Sequence, residues 1–221
     1  MQDFLIFGLT ASVGAMGELA GHERRGSLHW PGRSALIGLM GAALGIRRDG
    51  DFSALDTLDI TVGIYDSGQP FRDYHTIETV PAAAVKAANS RPEAIRAARG
   101  RTNTTITLRD YRAAPLYGVA VTGPGLAAIA EGLNRPAFTL FLGRKSCPLA
   151  APPGARIVAA EGPEGALAQL VLPPWRETAR LVSVVVDDPE GELVHDLPRD
   201  RARWHFHARR VSVRPVAWAQ T

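Results

Sequence analysis

Cysteine is nearly absent from this chain: Cys147 stands alone among 221 residues. An internal disulfide framework and a zinc site built on cysteines are both excluded, and a reducing compartment, the cytoplasm, is the expected setting. No apolar run reaches the ~20 residues needed to cross a bilayer. The stretch Met1–Leu9 carries Asp3 where a secretory leader has basic residues, so neither a membrane span nor a signal peptide is expected. Also missing are a Walker loop, a GxGxxG run after a strand and a GxSxG elbow. Nucleotide hydrolysis, dinucleotide binding and esterase chemistry therefore have no motif support, and no cofactor is expected.

Lysine is almost as scarce. Of 25 basic residues only Lys86 and Lys145 are lysines, so the net charge of +3 rests on guanidinium groups. Guanidinium pairs bidentately with phosphate and stacks on flat rings, which suits a nucleic-acid ligand. A codon preference for arginine gives the same count without functional meaning. The charge is also blocked: residues 91–148 hold nine basic and three acidic side chains and 199–221 six and one, whereas 51–90 hold two and six and 149–198 three and eight. Such blocks focus positive potential and steer polyanions, although a solvated face carries the same pattern.

Phe4, Leu5, Ile6, Phe7 and Leu9 read as a buried strand, followed by a glycine-rich loop over residues 10–32 that contains Arg24, Arg25 and His29. Apolar residues at helical spacing from Ala35 to Leu44 predict a helix with Ser34 as its cap, Gly38 and Gly41 on its packing face and Gly45 at its end. Strict alternation over residues 58–65 predicts a half-buried strand. A polar, arginine-rich insertion spans residues 67–112, with a short helix expected over 82–88 and one hairpin arm over 104–108. Further strands are expected at 116–121, 157–159, 181–186 and 204–213, and a second helix at 126–133. The order strand, helix, strand, insertion, strand, helix, strand predicts an α+β chain with a ferredoxin-like (RRM-type) core, an antiparallel sheet backed by helices. Residues 1–148 would form this domain, and 149–221 a β-rich extension packed on it.

Three segments carry candidate chemistry. Phe141-Leu142-Gly143-Arg144-Lys145-Ser146-Cys147-Pro148 joins a glycine turn, through which backbone amides approach phosphate, to two cations, with Phe138 or Phe141 to stack on a base. An ordinary turn with solvated cations is the plain alternative. Asp73-Tyr74-His75-Thr76 joins an acid, a phenol and an imidazole. With Lys145 these could serve metal-free ribonuclease chemistry, or simply stack and hydrogen-bond. Trp30-Pro31-Gly32-Arg33-Ser34 places Arg33 at a helix start, where free amides attract phosphate. His195, His205 and His207 form a weaker set with no carboxylate or cysteine at ligand spacing, and no metal site is expected.

Taken together, Pro31–Ser34 running into Leu36–Ile46, then Asp73–Thr76, then Leu142–Pro148, resemble the CasD family, the RAMP subunits of the type I-E Cascade surveillance complex. The motifs occur in family order over about residues 4–148. The loop Ser12–Gly17 departs from the family's usual Pro-Met-Gln-x-Trp-Gly. The resemblance implies a ferredoxin-like core with a thumb formed by the insertion and a non-catalytic role gripping the 5′ handle of CRISPR RNA. It also implies contacts to the CasC backbone and the CasA large subunit, with target DNA met only through the complex. The expected RNA-facing residues are Arg24, Arg25, Arg33, Ser34, Tyr74, His75, Thr76, Arg101, Arg109, Phe138, Phe141, Gly143, Arg144 and Lys145. Related subunits cleave repeat RNA, which leaves a metal-independent endoribonuclease using Tyr74, His75 and Lys145 as the alternative.

Overall fold

The first strand shows how the core is built. In the computed structural model, which describes residues 1–18, 23–85, 90–201, 203 and 205–216, β1 (Gln2–Thr10) is buried on both faces. Leu5, Phe7 and Leu9 enter one apolar cluster, and Phe4 and Ile6 enter another behind the sheet. Burial on both faces explains why this strand reads as a continuous apolar run and not as an alternation. Each such side chain contributes about 1.5–3 kcal/mol through the area removed from water.

In chain order there follow β2 (Val13–Gly14), β3 (Arg24–Arg25), α1 (Arg33–Ala43), α2 (Ser53–Asp56), β4 (Asp59–Asp66), β5 (Gln69–Thr79), α3 (Arg91–Ala98), β6 (Asn103–Ala113) and β7 (Leu116–Thr122). The remainder is α4 (Leu126–Asn134), β8 (Arg156–Ala160), α5 (Pro163–Leu167), a 3-10 turn at Pro174–Arg176, β9 (Ser183–Asp200) and β10 (His205–Pro215). The main sheet has the order β10-β9-β4-β7-β1-β8 with every neighbouring pair antiparallel. Residues 149–221 thus supply three strands of the same sheet. Among the described residues no helix is long and apolar enough to cross a membrane.

α1 and α4 cover one face through Leu36, Ile37, Met40, Ile129 and Leu133, and α5 with the segment after it covers the other through Leu167, Leu170 and Leu181. Gly8, Gly118 and Gly63 lie side by side in register across β1, β7 and β4. A Cβ at Gly118 would stand 2.8 Å from Leu167 Cδ2, and one at Gly63 2.7 Å from Leu181 Cδ1, so the glycine row is the trench that seats these leucines.

Several expectations are corrected. Ser34 does not cap α1: the helix begins two residues earlier, at Arg33, with Gly32 at the N-cap and no side-chain cap. The cap comes from far along the chain, where Asp196 Oδ2 on β9 accepts the Arg33 amide at 2.7 Å. Gly41 does permit close packing, against the Phe52 ring, whereas a Cβ at Gly38 would meet nothing. Gly45 ends the helix at φ +77° as expected. The insertion's helix lies at Arg91–Ala98, where Ser90 accepts the Glu93 amide and Pro92 fits the first turn. Residues 82–84 form a turn, and 86–88 lie outside the described residues, as do 19–22 of the glycine-rich loop and Trp204 at the expected start of β10.

The β9–β10 hairpin is long and carries three register irregularities, the largest between Arg210 and Val211. Beyond it the hairpin lies over α1. Asp196 binds the helix start, and Arg201 sits 4.2 Å over the Phe52 ring, pairs with Asp56 and accepts from Arg48 through its carbonyl.

Candidate nucleic-acid interface

β5 and β6 form a hairpin in unbroken antiparallel register from Gln69↔Ala113 to Thr79↔Asn103. It projects from between β4 and β7, and β2 and β3 pair with the other side of β6. Because successive side chains alternate between faces, the register sorts the segment into two surfaces. Arg72, Tyr74 and Thr76 share one with Asp110, Leu108 and Ile106, and Arg24 joins them through its pairing with Leu108. Phe71, Asp73 and His75 share the other with Tyr111, Arg109 and Thr107, joined there by Arg25.

The first surface lines a cleft of about 430 Å³ that also reaches Ser27, His29 and Arg112, and Phe71 and Tyr111 border it from the second surface. At its centre Asp110 accepts from Nε and Nη2 of both Arg24 and Arg72 over 2.6–3.2 Å. The Arg72 hydrogen bond holds the Asp110 carboxyl below its ordinary range against the opposing effect of burial, and Arg24 adds a smaller lowering. Tyr74 stands 70% exposed at the cleft wall. Arg112 closes the base of the hairpin: it is buried and donates to the Ser67 carbonyl and hydroxyl and to the Gly68 carbonyl.

The second surface meets the glycine turn. Phe71 and Tyr111 stack with centroids 5.3 Å apart, and the Arg144 guanidinium lies 4.6 Å over the Tyr111 ring. Gly143 has φ +85°, and a Cβ there would lie 1.6 Å from the Ala15 carbonyl oxygen, so the turn is pressed onto the loop after β1 and only glycine fits. The glycine's open side faces protein backbone, not a ligand, and its amide bonds the Phe141 carbonyl. Nη1 of Arg144 and Nε of Arg109 are buried with no acceptor among the described residues.

The sequence-derived set divides accordingly. Arg24, Tyr74 and Thr76 come together on one surface, and Arg25, His75, Arg109 and Arg144 on the other with Gly143, exposed Lys145 and half-buried Phe141 in the turn beside it. Phe138 is 42% exposed and bonds its amide to Ala42, at the end of α1. Arg101 braces the insertion by donating to Ala98 and Ala84 carbonyls. Arg33, expected to meet phosphate, is buried and donates to the carbonyls of Asp56 and Leu58, while Ser34 lies half-buried within α1. Arg33 therefore ties α1 to the start of β4. The ribonuclease trio is also separated, because Tyr74 and His75 are neighbours on a regular strand and point to opposite faces. His75 Nδ1 lies 3.8 Å from Asp73 on its own face. No group of three or more His, Cys, Asp or Glu side chains gathers at metal-binding distance among the described residues. Sequence reasoning missed Phe71, Arg72, Asp110 and Tyr111. Their signal is the pairing of aromatic and charged residues at mirror positions of the insertion, legible once the hairpin register is known.

Comparison with known proteins places this surface in context. The family model for CRISPR-associated protein (Cas_Cas5) matches residues 4–212. The chain belongs to this Cas5 family. It is 32% identical over 169 residues to the CRISPR system Cascade subunit CasD of Escherichia coli (strain K12), covering 69% of this chain and 70% of that one. A chain of a CRISPR RNA-guided surveillance complex superposes with a TM-score of 0.74 at 25% identity, covering 97% of this chain and 90% of that chain. A crystal structure of a Cas protein shares the fold with a TM-score of 0.61 at 23% identity, over 96% of this chain and 94% of that one. The Cas5 match runs through the hairpin and into β10, so both surfaces lie inside the family region.

Proposed function

We propose that this Cas5-family chain is a non-catalytic RNA-binding subunit of a type I-E Cascade complex in the cytoplasm. On this reading it grips the 5′ handle of CRISPR RNA with its β5–β6 hairpin and caps the backbone beside CasC and CasA. The sheet order β4-β7-β1-β8, with α1 after β1 and α4 after β7, supports reading the core as ferredoxin-like, with the hairpin as its thumb. In such complexes base pairing reads sequence while protein holds backbone and shape, so arginine and aromatic contacts are the expected means of grip.

The observation that carries the reading is the unsatisfied cation surface beside the glycine turn. Arg25 and Arg109 are register partners with no ion pair among the described residues, and like charges placed side by side cost stability unless an anion joins them. Arg144, over the Tyr111 ring, and the exposed Lys145 add two further cations beside them, and cations of this kind pair with phosphate oxygens.

The test is binding of a repeat-derived 5′-handle RNA to the purified chain across a salt series. Arg144→Ala with Lys145→Ala is expected to weaken binding and to reduce the log–log salt slope by about 1.4, since each phosphate contact on a single strand contributes about 0.7. Unchanged affinity and slope would remove the turn from the interface. The endoribonuclease alternative needs Tyr74 and His75 at one phosphate, and their opposite orientations argue against it. Incubating full repeat RNA with the protein in EDTA should leave the RNA intact; cleavage lost in His75→Ala would reverse this reading.

A further inference from the structure

The cleft on the other face of the hairpin holds a carboxylate among arginines, an arrangement that simple phosphate binding does not call for. Asp110 receives four N–H donors, Nε and Nη2 from each of Arg24 and Arg72. Three of these converge on Oδ2 and one reaches Oδ1, so both carboxylate oxygens are engaged by the two arginines. What it does is fix both guanidinium planes. The Nη1 groups of Arg24 and Arg72 have no partner among the described residues, and the Arg24 side chain is 60% exposed. Tyr74 stands on the same face two residues from Arg72 and is exposed. The cleft volume of about 430 Å³ suits a single nucleotide.

We propose that this cleft takes one unstacked nucleotide of the bound RNA. The base stacks on Tyr74, the adjoining phosphate lies on the free edges of Arg24 and Arg72, and Asp110 acts as the positioning residue that presets the two arginines. The proposal rests on the RNA-binding reading above and adds a second contact surface, which adjoins the glycine turn through the Tyr111 ring. Its energetic logic is preorganisation: a long side chain immobilised before binding loses less freedom when the ligand arrives. The remaining net charge of +1 in the triad directs phosphate to it.

Two variants separate positioning from charge. Removing a negative charge from a cationic cleft by Asp110→Asn should strengthen RNA binding if only net charge matters. The positioning role gives the opposite sign: binding about three- to tenfold weaker, with restoration by Asp110→Glu. Tyr74→Ala, at an exposed site with little bearing on folding, is expected to weaken binding about tenfold, the scale of one base–aromatic stack.

The assay uses the full chain and a short single-stranded RNA carrying 2-aminopurine at successive positions. One position should show fluorescence quenching that is lost in Tyr74→Ala, and thermal melting of each variant reports folding. Tight wild-type binding with Tyr74→Ala and Asp110→Asn unchanged or tighter would overturn the nucleotide site and leave the RNA-binding reading standing. Absence of wild-type RNA binding would overturn both.

Discussion

Asp196→Ala is expected to loosen the β9–β10 hairpin from α1 at a cost of about 4 kcal/mol. The Asp196 side chain is 6% exposed and that of Arg209 15%, and the two form a bidentate pair at 2.7 and 2.8 Å. Removing one partner of a buried pair leaves an uncompensated charge, typically about 3–5 kcal/mol. Asp187 remains bonded to Arg209 from a mostly exposed position, which argues for the lower end, about 3 kcal/mol. The second consequence is at the helix start, where the Arg33 amide loses the Asp196 cap; this adds about 1 kcal/mol. For a chain of this size the sum corresponds to a fall in Tm of roughly 8–16 °C.

Thermal and urea unfolding followed by circular dichroism measure it. Asp196→Asn retains an acceptor for the Arg33 amide and should be milder than Asp196→Ala. A double variant, Asp196→Leu with Arg209→Met, removes both charges and should recover to within about 1–2 kcal/mol of wild type, the remainder being the lost cap. A cost below about 1 kcal/mol for Asp196→Ala, or no recovery in the double variant, would refute the assignment of this pair as the hairpin's anchor.

Gly143→Ala is expected to cost about 1–2 kcal/mol through its left-handed backbone, with more from the clash with the Ala15 carbonyl. It should also increase proteolysis at residues 141–148, and a variant as stable and as protected as wild type would show that the turn relaxes freely. The Asp188 carboxyl, held at about 2 by hydrogen bonds from Arg214, Ser212 and the Glu190 amide, lies below its ordinary value of 3.8. A lowered folded value means its contribution is fully present above about pH 4 and is lost as pH falls toward 2. Carboxyl NMR should find Asp188 ionised at pH 3, and ordinary titration near 3.8 would contradict the network.

β1, β4, β7, α1 and α4 were legible because each announces itself by a local period: a doubly buried apolar run, an alternation, or apolar residues three and four apart. The insertion was located but not resolved. Its alanine-rich stretch at 82–88 suggested a helix, whereas Ser90, Pro92 and Glu93 supply the start signals that place one at Arg91–Ala98. Arg33 and Ser34 were misjudged for one reason: a sequence shows an arginine after a glycine but not the carbonyls of Asp56 and Leu58 waiting to receive it.

From its order of residues alone the chain determined its α+β class, its arginine-based charge and three motifs that mark its family, since composition and short-range periodicity are local properties. Which arginines share a surface was decided only by tertiary structure. Arg24, Arg72 and Asp110 converge from β3, β5 and β6, up to 86 residues apart, through strand register. Tyr74 and His75, adjacent in sequence, are separated by the alternation of that same strand, because the pleat sends neighbours to opposite faces.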